Sequence, residues 1–114
     1  MTVYKICPAQ EWAQAQQQRS YSGSPLDRKD GFIHFSTANQ VAGTLAKYYA
    51  EANDLVLVAV DTAQLGETLR FERARDGALF PHLYAALPLE AVRWTKPLTR
   101  GDGGVFVLPP ELGE

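Results

Sequence analysis

His34 and His82 are the two histidines of the sequence, and they stand in matching contexts, Phe32-Ile-His-Phe35 and Phe80-Pro-His-Leu83. An unperturbed imidazole titrates at about 6.5, which makes histidine the side chain best suited to moving a proton near neutral pH. Each histidine interrupts a short apolar run of strand character, so each points to the face opposite its neighbours. If the two runs lie side by side, both imidazoles open onto one cleft and can serve as proton donor and acceptor to one ligand. A hydrogen-bonded histidine on a half-exposed sheet face accounts for either one alone, and the repetition of the setting weighs against that account for both.

Other polar side chains can join them. Arg70 and Glu72 share a face of the alternating run Leu69-Arg-Phe-Glu-Arg73. A glutamate there can orient a ribose hydroxyl or a histidine, and an arginine can grip a phosphate with two N–H groups. An ordinary cross-strand ion pair is the simpler account of either. Ser36 and Thr37 precede a helix start, where hydroxyls and unpaired N–H groups suit an anion, although helix capping explains them first. Lys5, a lone cation among strand formers, must point to solvent or into a polar cleft. Tyr21, Tyr48, Tyr49 and Tyr84 carry rings that can stack on a base or nicotinamide, although tyrosines at helical spacing such as Tyr48 are more often core. The run Asp27-Arg-Lys-Asp30 reads as a solvated loop. The sequence holds no GxxxxGK, no GxGxxG, no GxSxG elbow and no metal-ligand spacing, so no metal is expected.

The elements that must position these residues can be placed in order. Thr2–Ile6 alternates as a first strand, and Pro8 opens a helix over Glu11–Gln18 with Trp12 as its inward anchor. Arg19–Asp30 is rich in turn residues and reads as a long loop, a candidate lid for the site that follows. Asp30-Gly31 then turns into a strand over Phe32–Ser36. Thr37-Ala-Asn-Gln40 carries the signature of a capping box and starts a helix to about Ala50, its apolar stripe formed by Val41, Leu45, Tyr48 and Tyr49. The continuous apolar run Leu55–Val60 predicts a central strand buried on both faces. Further strands are expected at Leu69–Arg73, Phe80–Ala85 and Val92–Lys96, with a short edge strand within Val105–Leu108. Residues 109–114 read as a frayed tail. Two helices near the N-terminus packed on a strand-rich remainder make an α+β fold, and 114 residues without a linker make one domain, 1–114.

Composition narrows the function classes. With 46% hydrophobic and 21% charged residues the chain can bury a core, and a net charge of −2 supplies no basic field for a polyanion, so no DNA partner is expected while a small nucleotide remains compatible. Cys7 is the single cysteine, which rules out an internal disulfide and fits a reducing compartment. The start Met-Thr-Val-Tyr-Lys-Ile lacks the pattern of a signal peptide, and the longest apolar block is too short to span a bilayer, so a cytoplasmic protein is expected.

Taken together, Val3-Tyr-Lys-Ile6, Asp30-Gly-Phe-Ile-His-Phe-Ser-Thr37 followed by Gln40, Asp54-Leu-Val-Leu57, Arg70-Phe-Glu72 and Phe80-Pro-His-Leu-Tyr84 resemble the bacterial domain of unknown function 952 family over about residues 2–98. That family has no established activity. Its sheet plan is more distantly similar to the ADP-ribosyltransferase fold, including the RNA 2'-phosphotransferase branch, in which NAD or an ADP-ribosylated intermediate sits between two small sheets. The resemblance implies Lys5, His34 and His82 at the three motif positions. The sequence departs from the pattern at Lys5 and again at His82, where a glutamate would orient the ribose hydroxyl. The expectation that follows is a nucleotide-handling enzyme of transferase or phosphotransferase type, with His34, His82 and Glu72 in catalysis. Lys5, Ser36, Thr37, Arg70 and Tyr84 would hold NAD or ADP-ribose. The alternatives are a non-catalytic nucleotide- or protein-binding module and a small hydrolase of unrelated substrate.

Overall fold

A valine-rich strand lies at the centre of the molecule. In the computed structural model, which describes residues 1–113, the run from Leu55 forms β4 (Leu55–Asp61). It pairs antiparallel with β1 (Thr2–Pro8) on one side and β8 (Val92–Arg100) on the other. A short strand β9 (Phe106–Val107) completes the order β1-β4-β8-β9. Leu57, Val58, Ala59 and Val60 are fully buried because successive side chains of β4 feed two different cores. Val58 and Val60 meet Trp12 and Ala15 of α1 (Ala9–Gln18) together with Ile33 and Leu83 of a second sheet. Leu55, Leu57 and Ala59 meet Val41 and Leu45 of α3 (Val41–Tyr48). Among the described residues, no helix is long and apolar enough to cross a membrane.

The second sheet is three-stranded, with β3 (Ile33–His34), β6 (Leu79–Leu83) and β5 (Leu69–Arg73) in that order. Between Arg73 and Leu79 the chain turns back on itself, with the Ala74 N–H donating to the Ala78 carbonyl. A separate ladder joins β2 (Ser20–Tyr21) to β7 (Leu87–Pro88). The two larger sheets meet where Tyr4 and Ser36 exchange backbone hydrogen bonds of 2.8 Å each. This α+β arrangement is the expected fold class.

Five expectations are corrected. The segment Arg19–Asp30 is not a loop. It contains β2 and a third helix, α2 (Pro25–Asp30), with Pro25 in the first turn and a reciprocal Ser24/Asp27 cap. The Thr37/Gln40 capping box is in place, Gln40 Oε1 accepting from the Thr37 N–H at 2.9 Å, but it opens a 3₁₀ turn over Ala38–Gln40 before α3 begins. α3 ends at Tyr48, which is 67% exposed rather than part of the apolar stripe. Strand β8 continues through Pro97 to Arg100, and β9 covers only Thr99 and Arg100 on that side. A proline is tolerated where its missing N–H faces an open strand edge. The C-terminal segment is tied down over its described part: Leu112 packs on the α3 core, the Gly113 N–H donates to Tyr4 Oη at 3.0 Å and Lys96 pairs with Glu111 at 3.1 Å. The last residue of the predicted tail, Glu114, lies outside the described residues.

Candidate functional site

The register of β3 on β6 sets His34 directly opposite His82. Their ring centroids are 5.6 Å apart in an edge-on arrangement, and both rings line one cavity of about 440 Å³ between the sheets. The expected shared cleft therefore exists, and it follows from two strands in which the histidine alternates with buried Ile33 and Leu83. β5 on the far side of β6 places Arg70 opposite His82 and Glu72 opposite Phe80, on the same face.

Glu72 does not form the simple ion pair with Arg70. Its Oε1 accepts from Tyr84 Oη at 2.6 Å and lies 2.8 Å from His82 Nδ1. Those two hydrogen bonds, Tyr84 first and His82 second, hold the Glu72 carboxyl below its ordinary range, and the same contact raises the Tyr84 phenol. Arg70 lies over the Tyr84 ring with Cζ 5.1 Å from its centroid. With Nδ1 facing the carboxylate, His82 has its Nε2 without a hydrogen-bond partner among the described residues.

His34 is held by a carboxylate that the sequence reading assigned to a solvated loop. Asp27 is 2% exposed. It accepts from Lys5 Nζ at 2.8 Å, from the Ser24 N–H at 2.9 Å and from the His34 N–H at 3.2 Å, and its Oδ1 lies 2.6 Å from His34 Nδ1. Burial pushes this carboxyl up, but the bond to His34, the charge and hydrogen bond of Lys5 and the Ser24 N–H together hold it well below the usual carboxylate range. Asp30, one helical turn along α2, places Oδ2 3.0 Å from His34 Nε2, so both ring nitrogens face carboxylates. The signal for Asp27 is present in the sequence as Ser24-Pro-Leu-Asp27, a capping-box spacing with proline at the first helical position. Gly23 is required beside it: its φ is +99°, and a β-carbon there would approach Asp27 Cβ to 2.7 Å.

Lys5 points into the polar cleft rather than to solvent. It is nevertheless committed, at 4% exposure, to Asp27 and to the His34 carbonyl at 3.0 Å. It is the one lysine or arginine among the described residues lining the cavity, so a phosphate there finds no free cation among them. Ser36 lines the cavity and shares a 3.1 Å hydrogen bond with Thr44, whereas Thr37, Arg70 and Tyr84 are not among the lining residues. Tyr84 instead borders an open cleft of about 430 Å³ with Arg28 and Phe32. Phe32, which sequence reasoning did not single out, stacks on His82 at 4.0 Å and contacts His34 and Tyr84 at 4.6 and 5.3 Å between centroids. Its ring packs face to face on His82 and tilted against His34. Tyr49 lines the cavity and Tyr48 its mouth, but Tyr21 is buried with its hydroxyl donated to Glu11, so its ring is not available for stacking. Among the described residues no group of three metal-ligating side chains converges.

Chemically, the site is a pair of imidazoles with each Nδ1 held by a carboxylate; in His82 this sets a tautomer and orients the ring for proton transfer, and in His34 a second carboxylate, Asp30, stands at Nε2.

Comparison with known proteins places this geometry in context. The family described as Protein of unknown function (DUF952) matches residues 6–95. The crystal structure of protein CC0527 from Caulobacter crescentus is 40% identical over 94% of both chains, with a TM-score of 0.88. The solution NMR structure of CC0527 gives 41% identity over 91% of this chain and 90% of that one, with a TM-score of 0.82. No curated protein matches the chain.

Proposed function

We propose, for a chain that belongs to the DUF952 family of proteins of unknown function, that the cavity between the two sheets is the active site of a transferase-like enzyme acting on a nucleotide of the NAD or ADP-ribose type. The observation that carries this reading is the convergence of His34 and His82 on one cavity, each with Nδ1 held by a carboxylate. The cavity volume of about 440 Å³ lies within the range of small-ligand sites, roughly 300–1,000 Å³. The step is substitution at a ribose carbon or transfer of a phosphate. In the first, the oxygen of water or of an acceptor hydroxyl forms the new bond as the bond to the departing base breaks; in the second, such an oxygen takes the phosphate as its ester bond breaks. In either case the proton of the incoming hydroxyl passes to an imidazole. His82 supplies a proton-transferring nitrogen in its Nε2, unpartnered among the described residues, and His34 supplies a second when its Nε2 exchanges the half-exposed Asp30 carboxylate for the ligand.

Charge favours the first of these steps. Asp27 and Asp30 line the cavity against a single Lys5, and that lysine is already neutralised by Asp27. A surplus of carboxylate in a partly enclosed site stabilises a reacting centre that becomes positive, as a ribose carbon does when its substituent departs. The two-sheet plan with its bridge at Tyr4 and Ser36 is in keeping with the distant likeness to ADP-ribosyltransferases. Glu72 acts in this scheme by orienting His82, Tyr84 acts by holding Glu72 and flanking the neighbouring cleft, and Arg70 lies over the Tyr84 ring.

The commitment of Lys5 supports a second reading, a module that binds a nucleotide without turning it over. Titration calorimetry with NAD, ADP-ribose and a 2'-phosphorylated oligonucleotide separates the possibilities. Heat of binding is expected with NAD or ADP-ribose. Heat without any product by mass spectrometry favours the module, and no heat with any of the three contradicts the nucleotide reading.

A further inference from the structure

The outer edge of β5 carries backbone groups that no described strand covers. The Tyr84 N–H donates to the Thr68 carbonyl and the Ala74 N–H to the Ala78 carbonyl, each at 2.8 Å, on the two sides of β5. Antiparallel pairs alternate between hydrogen-bonded and non-hydrogen-bonded positions. Thr68 and Ala74 are both hydrogen-bonded to the neighbouring chain segment, so Arg70 and Glu72 turn their backbone groups toward β6, and Leu69, Phe71 and Arg73 turn theirs outward. The strand order β3-β6-β5 leaves that side of β5 unpaired by any described strand. Phe71 is 40% exposed and Leu79 46%, and both lie on the face away from the histidines.

An open edge with exposed apolar side chains invites a partner strand, and edge charges usually prevent it. Here the charges select a partner instead. In an antiparallel pairing of β5 with a second β5 about a two-fold axis at Phe71, Arg70 stands opposite Glu72 on both sides of the axis. A register two residues off in one direction sets Arg70 opposite Arg70, and in the other direction Glu72 opposite Glu72, and like charges directly opposite one another destabilise a sheet. The central register alone satisfies both pairs. It also sets the outward N–H and carbonyl of Phe71 against the same groups of the second copy and brings the two Phe71 rings together.

We propose that β5 pairs in this register with β5 of a second copy of the chain, joining the two three-stranded sheets across a two-fold axis. The contact reaches the site, because Glu72 is the carboxylate that orients His82. In the dimer the Arg70 of the second copy faces that carboxylate. The contact stands whether or not the cavity is catalytic.

Sedimentation equilibrium of the full chain tests it. The expected mass is twice the 12.6 kDa of the monomer. Phe71→Pro removes an outward N–H and no bond to β6, and is expected to weaken the dimer by about tenfold or more while leaving the far-UV circular dichroism unchanged. Phe71→Lys, which sets two ammonium groups face to face, is expected to do the same should the proline variant misfold. Arg70→Glu is expected to dissociate the dimer, and adding Glu72→Arg in the same chain to restore it. A wild-type chain that stays monomeric at every concentration overturns the proposal. So does a dimer indifferent to both Phe71 variants.

Discussion

Asp27→Asn is expected to destabilise the fold by about 3–5 kcal/mol at pH 7, the cost typical of removing one partner of a buried ion pair. The reason is Lys5, which is 4% exposed and has Asp27 as its counter-charge. An amide at position 27 can still accept a hydrogen bond, but it leaves an ammonium buried without compensation. Folded domains hold a net stability of only about 5–15 kcal/mol, so this one change removes a large share. Replacing Lys5 by Met in the same chain is expected to recover much of the loss, because the uncompensated charge is then gone. The pH dependence has a definite sign. The folded carboxyl of Asp27 is held below its unfolded value of about 3.9, so its contribution is complete above that value and is lost as the pH falls through the lower folded value. Urea unfolding across a pH series should show wild-type stability falling below about pH 4, with a flatter profile for the Asn variant in that window. A variant as stable as wild type at pH 7 would mean that the Lys5–Asp27 pair contributes nothing net.

His34→Ala and His82→Ala are each expected to lower turnover of the bound nucleotide by about 10²–10⁴-fold, the range for loss of a positioned proton-transfer group. Binding should change far less, since neither imidazole is the sole contact in a cavity that Tyr49, Phe80 and Ser36 also line. The double variant should fall short of the product of the two losses, because groups that act on one ligand as a unit are not additive. Unchanged turnover in either single variant would remove that histidine from the mechanism. The variants differ in structural consequence as well. Removing the His82 ring takes away the stacking partner of Phe32 and one of the two hydrogen bonds of Glu72. Removing the His34 ring leaves Asp27 with Lys5 and two backbone N–H donors.

The histidine pair was legible because a period of two along each strand dictates which side chains share a face, and flanking Ile33 and Leu83 fixed that face as the polar one. The central strand was legible for a similar reason, an unbroken valine-rich run. Asp27 was not, because four charged residues in a row carry the signature of solvent exposure, and burial of the first of them depends on Lys5 arriving from β1, 22 residues away in sequence. The cap at Ser24 and Pro25 was a local signal of α2, masked by the turn-forming composition around it. Tyr48 fits the stripe by spacing alone, yet α3 ends there and leaves it at the cavity mouth. Pro97 read as a strand end because a proline removes a donor, a cost that vanishes on an open edge. From its neighbours on the strand Lys5 points either to solvent or into a polar cleft, and what decides between them, its pairing with Asp27, is a tertiary fact.

The account turns on two imidazoles serving one ligand in one cavity, and the most direct measurement of that is the ring ¹⁵N and ¹H resonances of His34 and His82 during titration with ADP-ribose. Both rings are expected to shift along a single binding curve with one dissociation constant. Saturable binding that leaves both rings unmoved, or that moves only one of them, would contradict it.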